Sequence, residues 1–348
     1  MKKTKVAVLG ASGYSGIELL RILLRHPAAE LICVTSRQAA GKSVSEVFPR
    51  FTGCGAAADL KFIAPDADTI AATGAEVAFL ALPHGVAHAH AIGLLERGLR
   101  VIDLSADFRL DDAAVYEEFY DHPHPAPALL SEAVYGLPEI NADAIRTARL
   151  VASPGCYPTS VLLPLIPLLR AGLLQPQSIC IFSMSGVSGA GRKEAIPLLF
   201  CECNESVRAY SVPRHRHLSE IEQELSKAAG TPLRITFTPH LIPVTAGIAT
   251  TIYAAPAAGH ENADLDAIYR EAYATAPFVR LRGKNVCPDT KDVVRTNFCD
   301  IGWASDTRTG RCILLSAEDN LWKGAASQAV QSFNLMTGCP ETSGLDWY

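Results

Sequence analysis

Residues 6–20 read "VAVLGASGYSGIELL": an apolar run, glycines at 10, 13 and 16, then aliphatic residues at helical spacing. Val6 to Leu9 make a short buried strand, and Ile17, Leu20 and Leu24 fall on one helical face that ends at Pro27. Strand, glycine turn and helix in this order open a nucleotide-binding α/β domain. Ala11, Gly13 and Gly16 fit the dinucleotide fingerprint, with alanine in place of its first glycine. Small residues there let the backbone approach a pyrophosphate seated on a helix N-terminus. Gly10, Ser12, Gly13, Tyr14, Ser15 and Gly16 are therefore the first cofactor-binding candidates.

Outward from this unit the pattern repeats. "LICVTS" (31–36), "EVAFLAL" (76–82), "RVIDLS" (100–105) and "RLVAS" (149–153) read as further buried strands, separated by helix-like segments such as "VAHAHAIGLLERG" (86–98). Parallel sheets bind ligands in the loops that follow their strands, so each strand end is a place to look. After the second strand, an NAD-selective site would carry an acid for the ribose hydroxyls; "TSRQAAGK" (35–42) has none. Ser36 and Arg37 suit a 2′-phosphate instead, so the cofactor is read as NADP; Lys42 either adds charge or sits in a solvated turn. "LPHG" (82–85) puts Pro83, His84 and Gly85 against the cofactor, and "DLSADFRL" (103–110) offers Ser105 and Arg109 to a phosphate or carboxylate.

From residue 156 the pattern changes. A helix from Pro158 to Leu174 precedes longer alternating strands in "RITFTPHLIPV" (234–244), "IATTIYAAP" (248–256), "NFCDIGWASD" (297–306) and "RCILLSAED" (311–319). That is the signature of an α+β domain on a more antiparallel sheet. A last helix, "LWKGAASQAVQSFNLMTG" (321–338), packs back on the first domain. The expected organisation is a Rossmann-type dinucleotide-binding domain over 1–155, completed by 320–348, and a catalytic and oligomerisation domain over 156–319 with a mixed, largely antiparallel sheet.

Bulk properties narrow the partners. With 348 residues, 49% hydrophobic, the chain can bury two sizeable cores, and its net charge of −5 favours neither nucleic acid nor an anionic membrane. The strongest apolar run, "VLLPLIPLL" (161–169), is about half of a bilayer span. The basic start leads into glycines rather than a signal-peptide core, so the ten cysteines are expected as reduced cytosolic thiols. "CEC" at 201–203 lacks a second ligand pair, and no metal is expected.

One cysteine stands apart. In "SPGCYPTS" (153–160) Cys156 lies between a Pro-Gly turn and Pro158, at the start of the 158–174 helix. Helix N-termini favour negative charge, so a thiol there is biased towards the thiolate, the nucleophilic form. A thiolate attacking an acyl group beside NADP needs an acid/base and a polar pocket. "PRHRHLSEI" (213–221) supplies His215, with His217 as the second candidate, beside Arg214 and Arg216 that suit an anionic substrate. "SMSGVSGAGR" (183–192) offers Ser185, Ser188 and Gly189 to the nicotinamide end and Gly186 to the substrate, with Ser153 a further substrate candidate and Asn320 a cofactor one.

Together these motifs, with "VYGLPEI", "TPHLIPVTAGI", "NFCDIG" and "DNLWKGAASQAVQ", resemble the N-acetyl-gamma-glutamyl-phosphate reductases, arginine-pathway enzymes of the wider semialdehyde dehydrogenase group, almost end to end. The resemblance implies that Cys156 is the nucleophile and one histidine of "HRH" the acid/base. It also implies two domains with the active site between them, a homodimer or homotetramer, and reduction of an acyl phosphate. Related reductases acting on aspartyl phosphate, or on a carrier-linked amino acid in lysine biosynthesis, would keep the same cysteine and histidine. One position departs from the pattern: Ala246 stands where the family usually has arginine.

Overall fold

The computed structural model describes residues 2–55, 59–192 and 194–345. The chain forms two compact units, Met1–Ala114 with His122–Pro154 and Ala325–Tyr348, and Val115–Asp121 with Gly155–Gly324.

The first unit is built on seven strands, β1 (Thr4–Leu9), β2 (Ala29–Thr35), β3 (Phe62–Ile63), β4 (Val77–Leu80), β5 (Arg100–Asp103), β6 (Val134–Tyr135) and β7 (Leu150–Ala152). Their order is β3-β2-β1-β4-β5-β7-β6, and every pairing is parallel. The strands read as unbroken apolar runs because helices cover both faces. Ala7, Leu9, Ala78, Leu80 and Val101 pack with Ala87, Ala91 and Leu94 of the helix Ala87–Glu96. Phe79, pointing the other way, meets Phe333 of the helix Ser327–Thr337 with ring centres 5.8 Å apart.

The second unit carries β8 (Cys180–Gly186), β9 (Arg208–Ala209), β10 (Thr236–Ile242), β11 (Ile248–Ala254), β12 (Val279–Lys284), β13 (Cys299–Asp306) and β14 (Arg311–Glu318). The order is β12-β13-β14-β11-β8-β10-β9; β8 with β10 and β12 with β13 run parallel, and the other pairs antiparallel. The helix Cys156–Arg170 lies on β11 and β14 and against the helix His217–Ala229.

This central helix starts two residues before the expected Pro158 and ends at Arg170 rather than Leu174. It also runs through Pro164 and Pro167. Each proline lacks an N–H, which frees the carbonyl four residues back, and a buried carbonyl without a partner costs about 1–3 kcal/mol. Both freed groups are taken: Ser160 O accepts from the Ser316 hydroxyl at 2.6 Å, and Leu163 O accepts from the Tyr273 hydroxyl. The prolines survive in the helix because its neighbours supply hydroxyls where the ladder fails.

The expected first domain ran unbroken over 1–155, but Val115–Asp121 groups with the second unit. There Arg214 lies 5.1 Å over the Phe119 ring and donates to Glu118 O at 2.6 Å, while Arg216 lies 5.7 Å over Tyr120. Among the described residues no helix is long and apolar enough to cross a membrane, and no group of three His, Cys, Asp or Glu side chains is placed to hold a metal ion.

Candidate active site

In the first unit, the candidate residues gather at the carboxyl ends of β1, β2, β4, β5 and β7. The glycine turn is tight for definable reasons. Gly10 has φ +74°, and a Cβ on it would lie 2.3 Å from Ala81 O; a Cβ on Gly16 would lie 2.5 Å from Gly10 O. Gly13 differs, since its Cβ would meet only Gly10 O, at 3.6 Å. It caps the helix Tyr14–Leu23 with no side-chain cap bond, leaving the first N–H groups of Tyr14, Ser15 and Gly16 for an anion. The cradle thus fits a pyrophosphate. Ser36 is buried, its hydroxyl 3.2 Å from that of Ser12 and accepting from Ala39 N, whereas Arg37 is exposed beside it.

The loops after β4 and β5 are joined by a residue that the motif reading passed over. Asp107, fully buried, accepts from Gly85 N at 2.6 Å and His88 N at 3.0 Å. This holds the Pro83, His84, Gly85 turn against "DLSADFRL". Ser105 donates to Asp103, and Arg109 donates from Nε to Ser153 O and from Nη2 to Leu104 O, both at 2.8 Å. Arg109 is therefore first a clamp on the ends of β5 and β7, which leaves its service to a substrate phosphate resting on charge. Ser153 is 1% exposed, and its hydroxyl meets no hydrogen-bond partner among the described residues.

Asp103 is fully buried, and burial pushes its carboxyl up to about 7; neighbouring Asp107 adds to the rise, while the Ser105 bonds and Arg109 oppose it. The unfolded chain releases this proton near pH 4. Between about pH 4 and 7 the folded state holds a proton that the unfolded state has lost, so stability falls as pH rises through that window. Asp103→Asn should flatten this dependence, raising Tm relative to the unaltered protein at pH 8 more than at pH 5. Parallel Tm curves for the two proteins would refute it.

In the second unit, Cys156 is the first residue of the buried helix Cys156–Arg170, with Gly155 as a cap that offers no side chain. The helix end thus turns its open N–H groups and their dipoles to the thiol. The loop is fixed from behind by Glu220, 2% exposed, whose Oε1 accepts from Gly155 N at 2.9 Å. Removing such a partner would leave the buried Gly155 N–H unsatisfied, at a cost of about 1–3 kcal/mol. Tyr210 donates to the Tyr157 hydroxyl at 3.0 Å, and both phenols are raised by burial, with the charge of Cys156 adding in the same sense.

The two histidines have different surroundings. His215 is ringed by Tyr157, Tyr210, Phe237 and His217, with ring centres 4.9 to 5.7 Å away. Burial, then the Arg216 charge, pushes it down to about 4. Its Nδ1 accepts from His217 N at 3.1 Å, which places the proton of the neutral ring on Nε2. His217 opens the helix His217–Ala229, three residues before Glu220 and on the same helical face. Arg214 and Arg216, expected to meet an anionic substrate, lie on Glu118, Phe119 and Tyr120 instead.

The loop after β8 is laced to 244–247. Gly186 N donates to Gly247 O and Ser188 N to Thr245 O, each at 3.0 Å. A Cβ on Gly186 would lie 2.8 Å from Ala246 N, so the backbones touch at the position where arginine was expected. Asn320 locks both strands of this loop pair, accepting from Gly247 N at 2.8 Å and donating to the Ser188 hydroxyl at 2.9 Å. Ser185 is buried with its hydroxyl on Gly186 O, and Gly189 lies close to Ser185 and Asn320.

Comparison with known proteins gives the family and the fold. The family described as semialdehyde dehydrogenase, NAD binding domain, matches residues 5–148, and semialdehyde dehydrogenase, dimerisation domain, matches residues 156–320. Over 348 residues the chain is 64% identical to the N-acetyl-gamma-glutamyl-phosphate reductase of Akkermansia muciniphila, spanning 99% of both chains. The chain belongs to the N-acetyl-gamma-glutamyl-phosphate reductase family. A second relative of that name, from Citrifermentans bemidjiense, is 51% identical over 344 residues, 98% of both chains. Among solved structures, aspartate semialdehyde dehydrogenase II from Vibrio cholerae, complexed with ASA, shares the fold with a TM-score of 0.73 at 17% identity over the whole of both chains. Against the reductase motifs, what the sequence reading missed are buried acids: Asp103, Asp107 and Glu220 carry no signature beyond their type, and only their burial marks them.

Proposed function

We propose that the chain reduces N-acetyl-L-glutamyl 5-phosphate to N-acetyl-L-glutamate 5-semialdehyde and phosphate, using NADPH, in arginine biosynthesis. The observation that carries the chemistry is the thiol of Cys156 at the uncapped start of a buried helix, its loop tied by Glu220. The Cys156 thiolate attacks the acyl carbon, the carbon–sulfur bond forms, and the bond to phosphate breaks. The helix N–H groups and the Arg109 charge suit the negative oxygen and the departing phosphate. NADPH, when bound, supplies a hydride. The thioester carbonyl is a better hydride acceptor than an ester; the thiohemiacetal oxyanion re-forms its C=O bond as the carbon–sulfur bond breaks and the thiolate returns, while a histidine holds the proton that hydrogen-bonds the oxyanion until collapse. For that histidine the surroundings favour His217 over His215. A ring held near 4, with Nδ1 engaged, is a poor carrier of protons at neutral pH. The buried Ser153 hydroxyl is assigned to the substrate.

NADP rather than NAD is supported by Ser36 and Arg37 after β2 and the absence of an acid at either position. Arg37→Asp should shift the ratio of kcat/KM values towards NAD by at least about tenfold, the worth of one charged hydrogen bond. An unchanged ratio would place recognition of the 2′-phosphate elsewhere. The enzyme is expected to work as a homodimer or homotetramer in the cytoplasm. The substrate itself is tested by phosphate-dependent NADP reduction with N-acetyl-glutamate 5-semialdehyde. Activity only with aspartate semialdehyde, or with a carrier-linked semialdehyde, would overturn the assignment.

A further inference from the structure

The mechanism uses one buried carboxylate near Cys156 and leaves a second without a role. Glu318 ends β14, is fully buried, and stands in register with Ile248 of β11 and Cys299 of β13, in the interior of the second sheet. Burying a carboxylate completely is costly, so its place beside the nucleophile is a feature to account for. From Glu318 the chain passes through Asp319 and Asn320 into the turn Trp322–Ala326, and Gly324 of that turn lies on the nucleophile. A Cβ on Gly324 would be 2.7 Å from Cys156 Cβ and 2.9 Å from Glu318 Oε1. The missing side chain lets the Glu318 carboxyl and the Cβ of Cys156 close on the same point.

We infer that Glu318 is a positioning residue for Cys156 that sets the pH at which the thiolate forms, the two acids sharing one negative charge across Gly324. The inference rests on the reading of Cys156 as nucleophile. Two charges of one sign in a buried corner are costly, so the pair ionises in two coupled steps. The carboxyl is intrinsically the stronger acid and takes the first charge. The thiol then ionises in the second step, at higher pH than the helix start alone would set. This keeps the resting thiol less open to oxidation.

Among the described residues, the other titratable groups around Cys156 and Glu318 are Tyr157 on the nucleophile's own helix and Tyr210, which feel the Cys156 charge, His215 and His217, whose rings meet Tyr157, and Glu220, which holds Gly155 N. Cys299 comes from β13, and Asp319 and the buried Lys323 from the turn. Asp319 is engaged by the N–H groups of Arg295, Leu321 and Trp322. All of these stay in place in Glu318→Gln, so the difference between the two proteins isolates the Glu318 charge.

The test is alkylation of the free enzyme by iodoacetamide at graded pH, with the label on the Cys156 peptide read by mass spectrometry. In Glu318→Gln the midpoint should move down by about one pH unit or more, while Glu318→Asp stays near the unaltered protein. An unmoved midpoint in a folded Glu318→Gln protein overturns the inference. So does a midpoint in Glu318→Asp that falls as far as in Glu318→Gln, since a variant that keeps the carboxylate must keep the raised midpoint. Labelling needs no substrate, so a wrong substrate would leave this result standing, and a failed coupling would leave the substrate assignment standing.

Discussion

Cys156→Ala is expected to abolish phosphate-dependent oxidation of N-acetyl-glutamate 5-semialdehyde, with kcat falling on the order of 10⁴-fold or more, while NADP still binds. Binding survives because the dinucleotide cradle is made of Gly10 to Gly16 and Ser36, all in the first unit and none dependent on the thiol. Cys156→Ser should fail almost as badly, since a hydroxyl at the same helix start stays protonated at neutral pH. Fluorescence titration with NADP and a steady-state assay read the two effects separately. Retained turnover would mean that hydride reaches the acyl phosphate with no covalent intermediate, and the assignment of Cys156 would fall.

The second large effect separates the histidines. His217→Asn should lower kcat by about 10²- to 10⁴-fold, the range for loss of a general acid/base, with little change in NADP affinity. His215→Asn should cost less in kcat and more in stability, because His215 packs among Tyr157, Tyr210 and Phe237 and its Nδ1 receives the first N–H of the His217–Ala229 helix. With His215 held near 4, no inflection of the rate between pH 6 and 7 should disappear in His215→Asn. A larger kcat loss at His215 than at His217 would reverse the assignment.

Much of this was legible in the sequence because it rests on short-range rules. β1, β2, β4, β5 and β7 are apolar runs bounded by polar loops, and the loops after them carry the expected cofactor and substrate residues. The two-residue strands β3, β6 and β9 are too short to have a pattern, and β8 was hidden because "SMSG" reads as a loop until its neighbours β10 and β11 pair with it. The helix start at Cys156 was displaced to Pro158 by the preference of proline for a first turn; in the structure Pro158 sits inside that turn, where its missing N–H costs nothing. His215 and His217, two residues apart, cannot be ranked by pattern, since what distinguishes them is an aromatic cage assembled from residues 157, 210 and 237. Asp107, Glu220 and Glu318 look like ordinary surface acids in the sequence, and their burial is a product of tertiary packing alone.

The helix Ser327–Thr337 follows the whole second unit in chain order, yet it belongs to the first. Its Asn334 bonds His26 at 2.9 Å, and Arg100 reaches back to Met336 O. During synthesis the ribosome therefore releases β1 to β7 before this helix, with Phe79 and the sides of the helices Tyr14–Leu23 and Pro138–Thr147 that it packs against still uncovered, and the first unit closes only after residues 155–324 have emerged. The second unit has time to fold alone; the first waits for residues 327–337, which makes the unit that carries the glycine turn the later of the two to close.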